Sequence, residues 1–132
     1  MIDKRKIIIA GAGLGGLTAA LSLHHAGFDV VVLEQARVLG EVGAGGQISA
    51  NGARVLHGLG LGPALDAVAF KPERGEMRHW QTGETLVTRP LGNTSVERFG
   101  YPYYHLHRAD LHDILSGALH SGAPDAIRLN SK

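Results

Sequence analysis

Cysteine is absent from the chain. That excludes a disulfide framework, a thiolate metal site and a cysteine nucleophile, and it suits a reducing cytoplasm. Excess charge is also missing. Thirteen Lys and Arg face twelve Asp and Glu for a net charge of about +1, so no nucleic-acid partner and no membrane surface are indicated. No apolar run beyond residue 23 approaches transmembrane length. Aromatic residues are few, with a single tryptophan at Trp80. Histidine is plentiful, yet no pair has a metal-ligand spacing such as H-E-x-x-H. His24 and His25 at a helix end, and His105, His107 and His112 around a strand-to-helix junction, read as packing or solvated residues.

Glycine is what the sequence does have, with nineteen in 132 residues. Their placement organises the chain. Ile7, Ile8 and Ile9 form a short β-branched run cut off at once by Gly11-Ala12-Gly13-Leu14-Gly15-Gly16, so the run predicts a buried strand. Gly11, Gly13 and Gly16 have the G-x-G-x-x-G spacing. The first permits a tight turn, the second close approach of backbone to a pyrophosphate, and the third close packing of helix on strand. Leu14, Leu17, Thr18 and Leu21 follow at helical spacing, and Gly27 stops the helix. Phe28 to Leu33 predicts a second strand, ending at Glu34, where a carboxylate can accept hydrogen bonds from a ribose diol. The helix starting near Leu14 offers free N–H groups and the positive end of its dipole, which suit a pyrophosphate without any lysine. A secretory signal, suggested by Lys4-Arg5-Lys6 before an apolar stretch, is opposed by the glycines within that stretch, the lack of an A-x-A site and the strand directly after it.

After Glu34, Val38 to Ser49 predicts a loop with four further glycines, backbone wrapped against a flat or extended ligand. Ser49 or Asn51 can cap a helix carrying Ala53, Val55, Leu56 and Leu59, and a shorter helix spans Ala64 to Val68. Glu76–Trp80 and Glu84–Thr88 alternate around Gln81-Thr82-Gly83, a β-hairpin pattern. Residues 89–100 read as irregular. Tyr103–Leu106 predicts a strand, and Leu111, Ile114, Leu115, Ala118 and Leu119 mark one face of an amphipathic helix. Ile127–Leu129 begins another strand.

These motifs resemble the N-terminal third of class A flavoprotein monooxygenases, the single-component aromatic hydroxylases, and most of all salicylate hydroxylase and 6-hydroxynicotinate 3-monooxygenase. The resemblance covers nearly the whole chain. It rests on Gly11–Gly16, on Glu34-Gln35-Ala36, on Gly43-Ala44-Gly45-Gly46-Gln47-Ile48-Ser49-Ala50-Asn51, and on His107-Arg108-Ala109-Asp110-Leu111. It implies an α/β fold: a Rossmann-like βαβ FAD-binding domain with a parallel sheet over residues 1–70 and 100–132, and a β-hairpin at 71–99 resembling the start of a substrate domain. The family's later flavin motifs are not in the chain, so the sequence reads as truncated.

The resemblance also implies site roles. Gly11 and the main chain of Gly13, Leu14, Gly15 and Gly16 meet the pyrophosphate, and Glu34 holds the adenosine ribose. Gln35, Ala36 and Arg37 lie beside the adenosine end, Gln47 lies on the flavin side, and Arg108 reaches the ribityl or phosphate region. The implied parent enzyme binds FAD, takes NAD(P)H as co-substrate, and hydroxylates a small aromatic acid or phenol with O2. No catalytic acid or base is assigned; Tyr101, Tyr103, Tyr104, His105 and His107 are candidates only. The alternative is an NAD-dependent dehydrogenase, which uses the same βαβ fingerprint but needs neither Gly43–Asn51 nor His107–Leu111. The hairpin's open edges suggest a homodimer or other self-association through exposed strands.

Overall fold

A computed structural model of the chain describes residues 5–40 and 43–132. Lys4 of the basic run, and Glu41 and Val42 within the Val38–Ser49 stretch, lie outside those residues. The chain divides into two compact units, one made of the segment up to Ala44 with His107–Lys132, the other of Gly45–Leu106.

The first unit is built on a parallel sheet. Strand β1 (Lys6–Ala10) leads into helix α1 (Leu14–His25), and strand β2 (Asp29–Leu33) returns beside β1. Its register runs from Lys6 opposite Asp29 to Ala10 opposite Leu33. After the second unit the chain re-enters with helix α5 (Arg108–Gly122) and strand β7 (Ile127–Arg128). Strand β7 joins the sheet on the other side of β2, pairing Val32 with Ile127, and the order is β1-β2-β7. β2 is therefore the central strand, which is why Val30, Val31 and Val32 are all buried rather than alternating. Helices α1 and α5 pack together, with Leu17, Leu21, Leu115 and Leu119 completely or almost completely enclosed. Full burial of side chains of this size contributes roughly 1.5–3 kcal/mol each, so this seam contributes substantially to the unit's stability.

The second unit contains strand β3 (Gly45–Ile48), helices α2 (Ala50–Gly58) and α3 (Gly62–Val68), hairpin strands β4 (Arg74–Arg78) and β5 (Thr85–Pro90), helix α4 (Gly92–Phe99) and strand β6 (Tyr104–His107). Two features differ from the sequence expectation. The stretch 38–49 is not all loop, because Gly45–Ile48 pairs with β6. Glycine is a poor strand former, and it is the ladder bonds to a neighbouring strand that hold this segment extended. Residues 89–100 are not irregular but hold α4, which ends at Gly100 in the left-handed conformation at φ 78°. Only Ser95 of that helix is buried, so there was no apolar stripe to announce it.

The two compact units meet at Ala44 and Gly45 and again at Leu106 and His107. The β3–β6 pairing and a bridge between Phe70 and His105 tie residues 45–70 to the second unit. Within that unit Tyr104 is fully buried, and its hydroxyl donates to Asp66 at 2.8 Å beside the His57 ring nitrogen, also at 2.8 Å. Burial first, and the Asp66 hydrogen bond second, push this phenol far above its ordinary range.

Candidate functional site

The site begins where β1 ends. Gly11 has φ 95°, a conformation that a side chain would strain, and its N–H donates to the Leu33 carbonyl at 2.7 Å. Gly13 is the N-cap of α1, in extended conformation, and the first helical bond runs from the Leu17 N–H to the Gly13 carbonyl. Helix α1 has no side-chain cap and no acidic residue in its first turn. Its leading N–H groups, those of Leu14, Gly15 and Gly16, therefore have no intrahelical acceptor. A Cβ built at Gly13 or Gly15 would meet nothing within 4 Å, whereas one at Gly16 would lie 2.0 Å from the Gly11 carbonyl oxygen. The three glycines thus do different work: Gly11 turns the chain, Gly13 leaves an open surface, and Gly16 lets helix and strand touch.

Glu34 stands just beyond β2. Its Oε2 accepts from the Ala12 N–H at 2.7 Å and its Oε1 from the Ala36 N–H at 2.8 Å. The Ala12 bond, then the Ala36 bond, hold this carboxyl below the ordinary carboxylate range. Each oxygen keeps a further lone pair for another donor. The Glu34 backbone is fixed too, with N–H to the Arg128 carbonyl and C=O from the Ser131 N–H, both at 2.9 Å. Gln35, Ala36 and Arg37 follow, exposed, with the Ala36 carbonyl accepting from Asn130.

Arg108 is the first residue of α5 and is exposed. Its N–H donates to the Ala44 carbonyl at 3.2 Å, and a Cβ at Gly43 would approach the Ala109 nitrogen to 3.3 Å. The described end of the glycine loop thus lies against the start of α5, where a side chain at 43 would be a tight fit. Gln47 lies in the second unit, on β3, where its Oε1 accepts from the Tyr103 hydroxyl at 2.8 Å. The first unit therefore assembles the turn, Glu34 to Arg37 and Arg108, and Gln47 belongs to the other.

His112, which the sequence offered only as a packing or solvated residue, makes a specific contact. On the buried face of α5 next to Leu111, it is 2% exposed, and its Nε2 lies 2.7 Å from the Ala12 carbonyl oxygen. A histidine inside an apolar helical stripe was the available signal.

This geometry suits a nucleotide diphosphate. Uncapped N–H groups at a helix N-terminus match its anionic oxygens, the open glycine surface gives close approach, and an ionised carboxylate at the end of the next strand matches ribose hydroxyls. The residues present fit FAD on these grounds. They include no nucleophile, and any redox chemistry would be the cofactor's.

The comparisons agree. The profile of the FAD binding domain family matches residues 4–124. A 3-amino-4-hydroxybenzoate 2-monooxygenase from Streptomyces cremeus is 42% identical over 98% of this chain and 36% of its own. A 6-hydroxynicotinate 3-monooxygenase from Pseudomonas fluorescens is 38% identical over 100% of this chain and 33% of its own. Among solved structures, a tetrameric 2-methyl-3-hydroxypyridine-5-carboxylic acid oxygenase superposes with a TM-score of 0.83 at 31% identity, over 98% of this chain and 32% of that one. Klebsiella pneumoniae HpxO complexed with FAD and uric acid superposes with a TM-score of 0.80 at 27% identity, over 98% of this chain and 32% of that one. The chain thus spans about a third of the length of the relatives it matches. These relatives are oxygenases, which does not favour the dehydrogenase alternative. No helix among the described residues is long and apolar enough to cross a membrane. With the family profile covering residues 4–124 and the βαβ turn and its carboxylate in place, the chain belongs to the FAD binding domain family.

Proposed function

We propose that the chain supplies the FAD-binding portion of a monooxygenase that hydroxylates a small aromatic acid or phenol with NAD(P)H and O2. The observation that carries this is the turn itself, an uncapped helix N-terminus beside a carboxylate held ionised by the Ala12 N–H. The names of the relatives, which act on hydroxybenzoates and a hydroxynicotinate, supply the substrate class. On this reading Gly11, Gly13, Leu14, Gly15 and Gly16 contact the pyrophosphate, and Glu34 holds the ribose. Gln35, Ala36 and Arg37 flank the adenosine end, Gln47 faces the flavin side, and Arg108 serves the ribityl or phosphate region. In functional terms residues 1–70 and 100–132 form the cofactor domain, and 71–99 the first hairpin over the substrate. The cytoplasm is the proposed compartment, consistent with the lack of cysteine.

Arg108 tests the cofactor reading directly. Its exposed side chain starts α5, and on this reading it serves the cofactor's ribityl or phosphate region. Arg108→Ala should weaken flavin binding at least about tenfold, measured by titrating the flavin-free protein with FAD. Unchanged affinity would remove Arg108 from the cofactor site.

The hairpin supports self-association. Met77, Trp80, Leu86 and Val87 are exposed by 53–85%, and every residue of β5 is exposed. A two-stranded hairpin is marginal in water and its edges invite pairing. The 132-residue chain should therefore form dimers or larger species through these strands, and by itself should show no NADH-dependent turnover. Light scattering over a dilution series, with NADH oxidation followed in the same samples, tests both. A dilution-stable monomer with stoichiometric yellow flavin and aromatic hydroxylation would overturn the proposed assembly and the division of labour together.

A further inference from the structure

We propose that His112 is a positioning residue for the nucleotide turn: by donating to the Ala12 carbonyl it sets the Ala12–Gly13 peptide plane and aims the Gly13 N–H outward at the pyrophosphate. This rests on reading the turn as the cofactor's cradle. A carbonyl oxygen can only accept, so at 2.7 Å the His112 Nε2 carries the proton. Its Nδ1 is buried with no hydrogen-bond partner among the described residues. An imidazole with one nitrogen unsatisfied is an expensive occupant of a site flanked by Leu111 and Leu115, and an apolar residue would pack there at no such cost. The ring is explained by the bond its other nitrogen makes.

That bond has a directional consequence. The described peptides are all trans, so the carbonyl of Ala12 and the N–H of Gly13 lie in one plane and point in opposite directions. Drawing the carbonyl inward to α5 turns the Gly13 N–H outward, at a residue where an added Cβ would meet nothing within 4 Å. The preceding peptide is fixed by Glu34, which accepts from the Ala12 N–H at 2.7 Å. Two successive peptides are thus held by two side chains, one from the end of β2 and one from α5, across 22 and 100 residues of sequence. Such a turn is set for its ligand before the ligand arrives, which lowers the ordering cost of binding.

The test uses the 132-residue chain with 15N-glycine, ADP as the probe, and three variants. In His112→Gln the side-chain amide nitrogen reaches the place of Nε2. In His112→Asn it falls short, and in His112→Leu it is gone. The Gln variant should keep the Gly13 amide resonance and bind ADP within about threefold of wild type. Asn and Leu should shift or split that resonance and weaken ADP at least about tenfold. Wild-type behaviour of either overturns the proposal, as does an equal loss or a failure to fold in the Gln variant, which would make the role one of packing. If the Leu variant does not fold, Gln against Asn decides, since both bury an amide. If ADP moves no glycine amide in the wild type, the cofactor reading fails, while the ligand-free Gly13 resonance across the variants still decides His112.

Discussion

Gly16→Ala should destabilise the first unit by about 3 kcal/mol, a large fraction of a typical domain's whole stability. In an ordinary helix interior the same change would stabilise by up to about 1 kcal/mol through helix propensity. Here the new methyl would stand 2.0 Å from the Gly11 carbonyl oxygen and 3.4 Å from the Ile9 side chain. The obstructing oxygen is backbone, fixed in the tight turn after β1, so the helix itself must lift. Lifting α1 also loosens its packing on α5 and β2. The clash outweighs the propensity gain about threefold on these figures. Urea unfolding of wild type and variant measures the difference. A loss under about 1 kcal/mol would mean that the helix lies farther from the strand than described.

Glu34→Ala should weaken ADP or FAD at least tenfold, the equivalent of about 1.4 kcal/mol. Two charge-assisted hydrogen bonds from the ribose hydroxyls would go with the carboxylate, each worth roughly 1.5–3 kcal/mol. The structure adds a second loss, because the same carboxylate holds the Ala12 and Ala36 N–H groups. Glu34→Gln should not rescue fully, since its amide group must set an N–H against one of those two donors. The pH dependence has a definite sign. The folded carboxyl lies below its ordinary 4.5, so its contribution is complete above that value and is lost only as pH falls through the lower folded one. Calorimetry with ADP from about pH 8 to about pH 4 should therefore show a constant wild-type advantage over Glu34→Ala until pH drops below the usual carboxylate range. Unchanged affinity in the alanine variant would place the ribose contact elsewhere.

Much of the first unit was legible because short-range chemistry agreed with tertiary need. A β-branched run, three spaced glycines, an apolar helical stripe and a terminal acid each specify a local conformation, and together they specify βαβ. Strand β7 was equally legible from Ile127 onward, and it completes the sheet beside β2. What escaped was held by partners distant in sequence. The Gly45–Ile48 segment is extended because β6, almost sixty residues on, pairs with it. Helix α4 buries only Ser95, whose hydroxyl donates to the Tyr101 carbonyl at 2.9 Å, so its face was polar. His112 was legible as a residue but not as a contact, because nothing local points it at Ala12. Glu34 was placed correctly as a carboxylate at the strand end, while its grip on the turn's own backbone required coordinates.

The insertion of one unit within the other has a consequence for how the chain comes to be folded. Residues 45–106 are contiguous, and their longest closure, β3 on β6, spans almost sixty residues. The central strand β2, by contrast, must wait for a neighbour 95 positions later, at the pairing of Val32 with Ile127. Loop-closure entropy must be met before such a contact repays it. On a ribosome, the glycine turn and β2 emerge well before α5 and β7 are made, so β2 passes through synthesis with one hydrogen-bonding edge bare. The edge is closed only when β7, on the far side of the whole second unit in sequence, has been made.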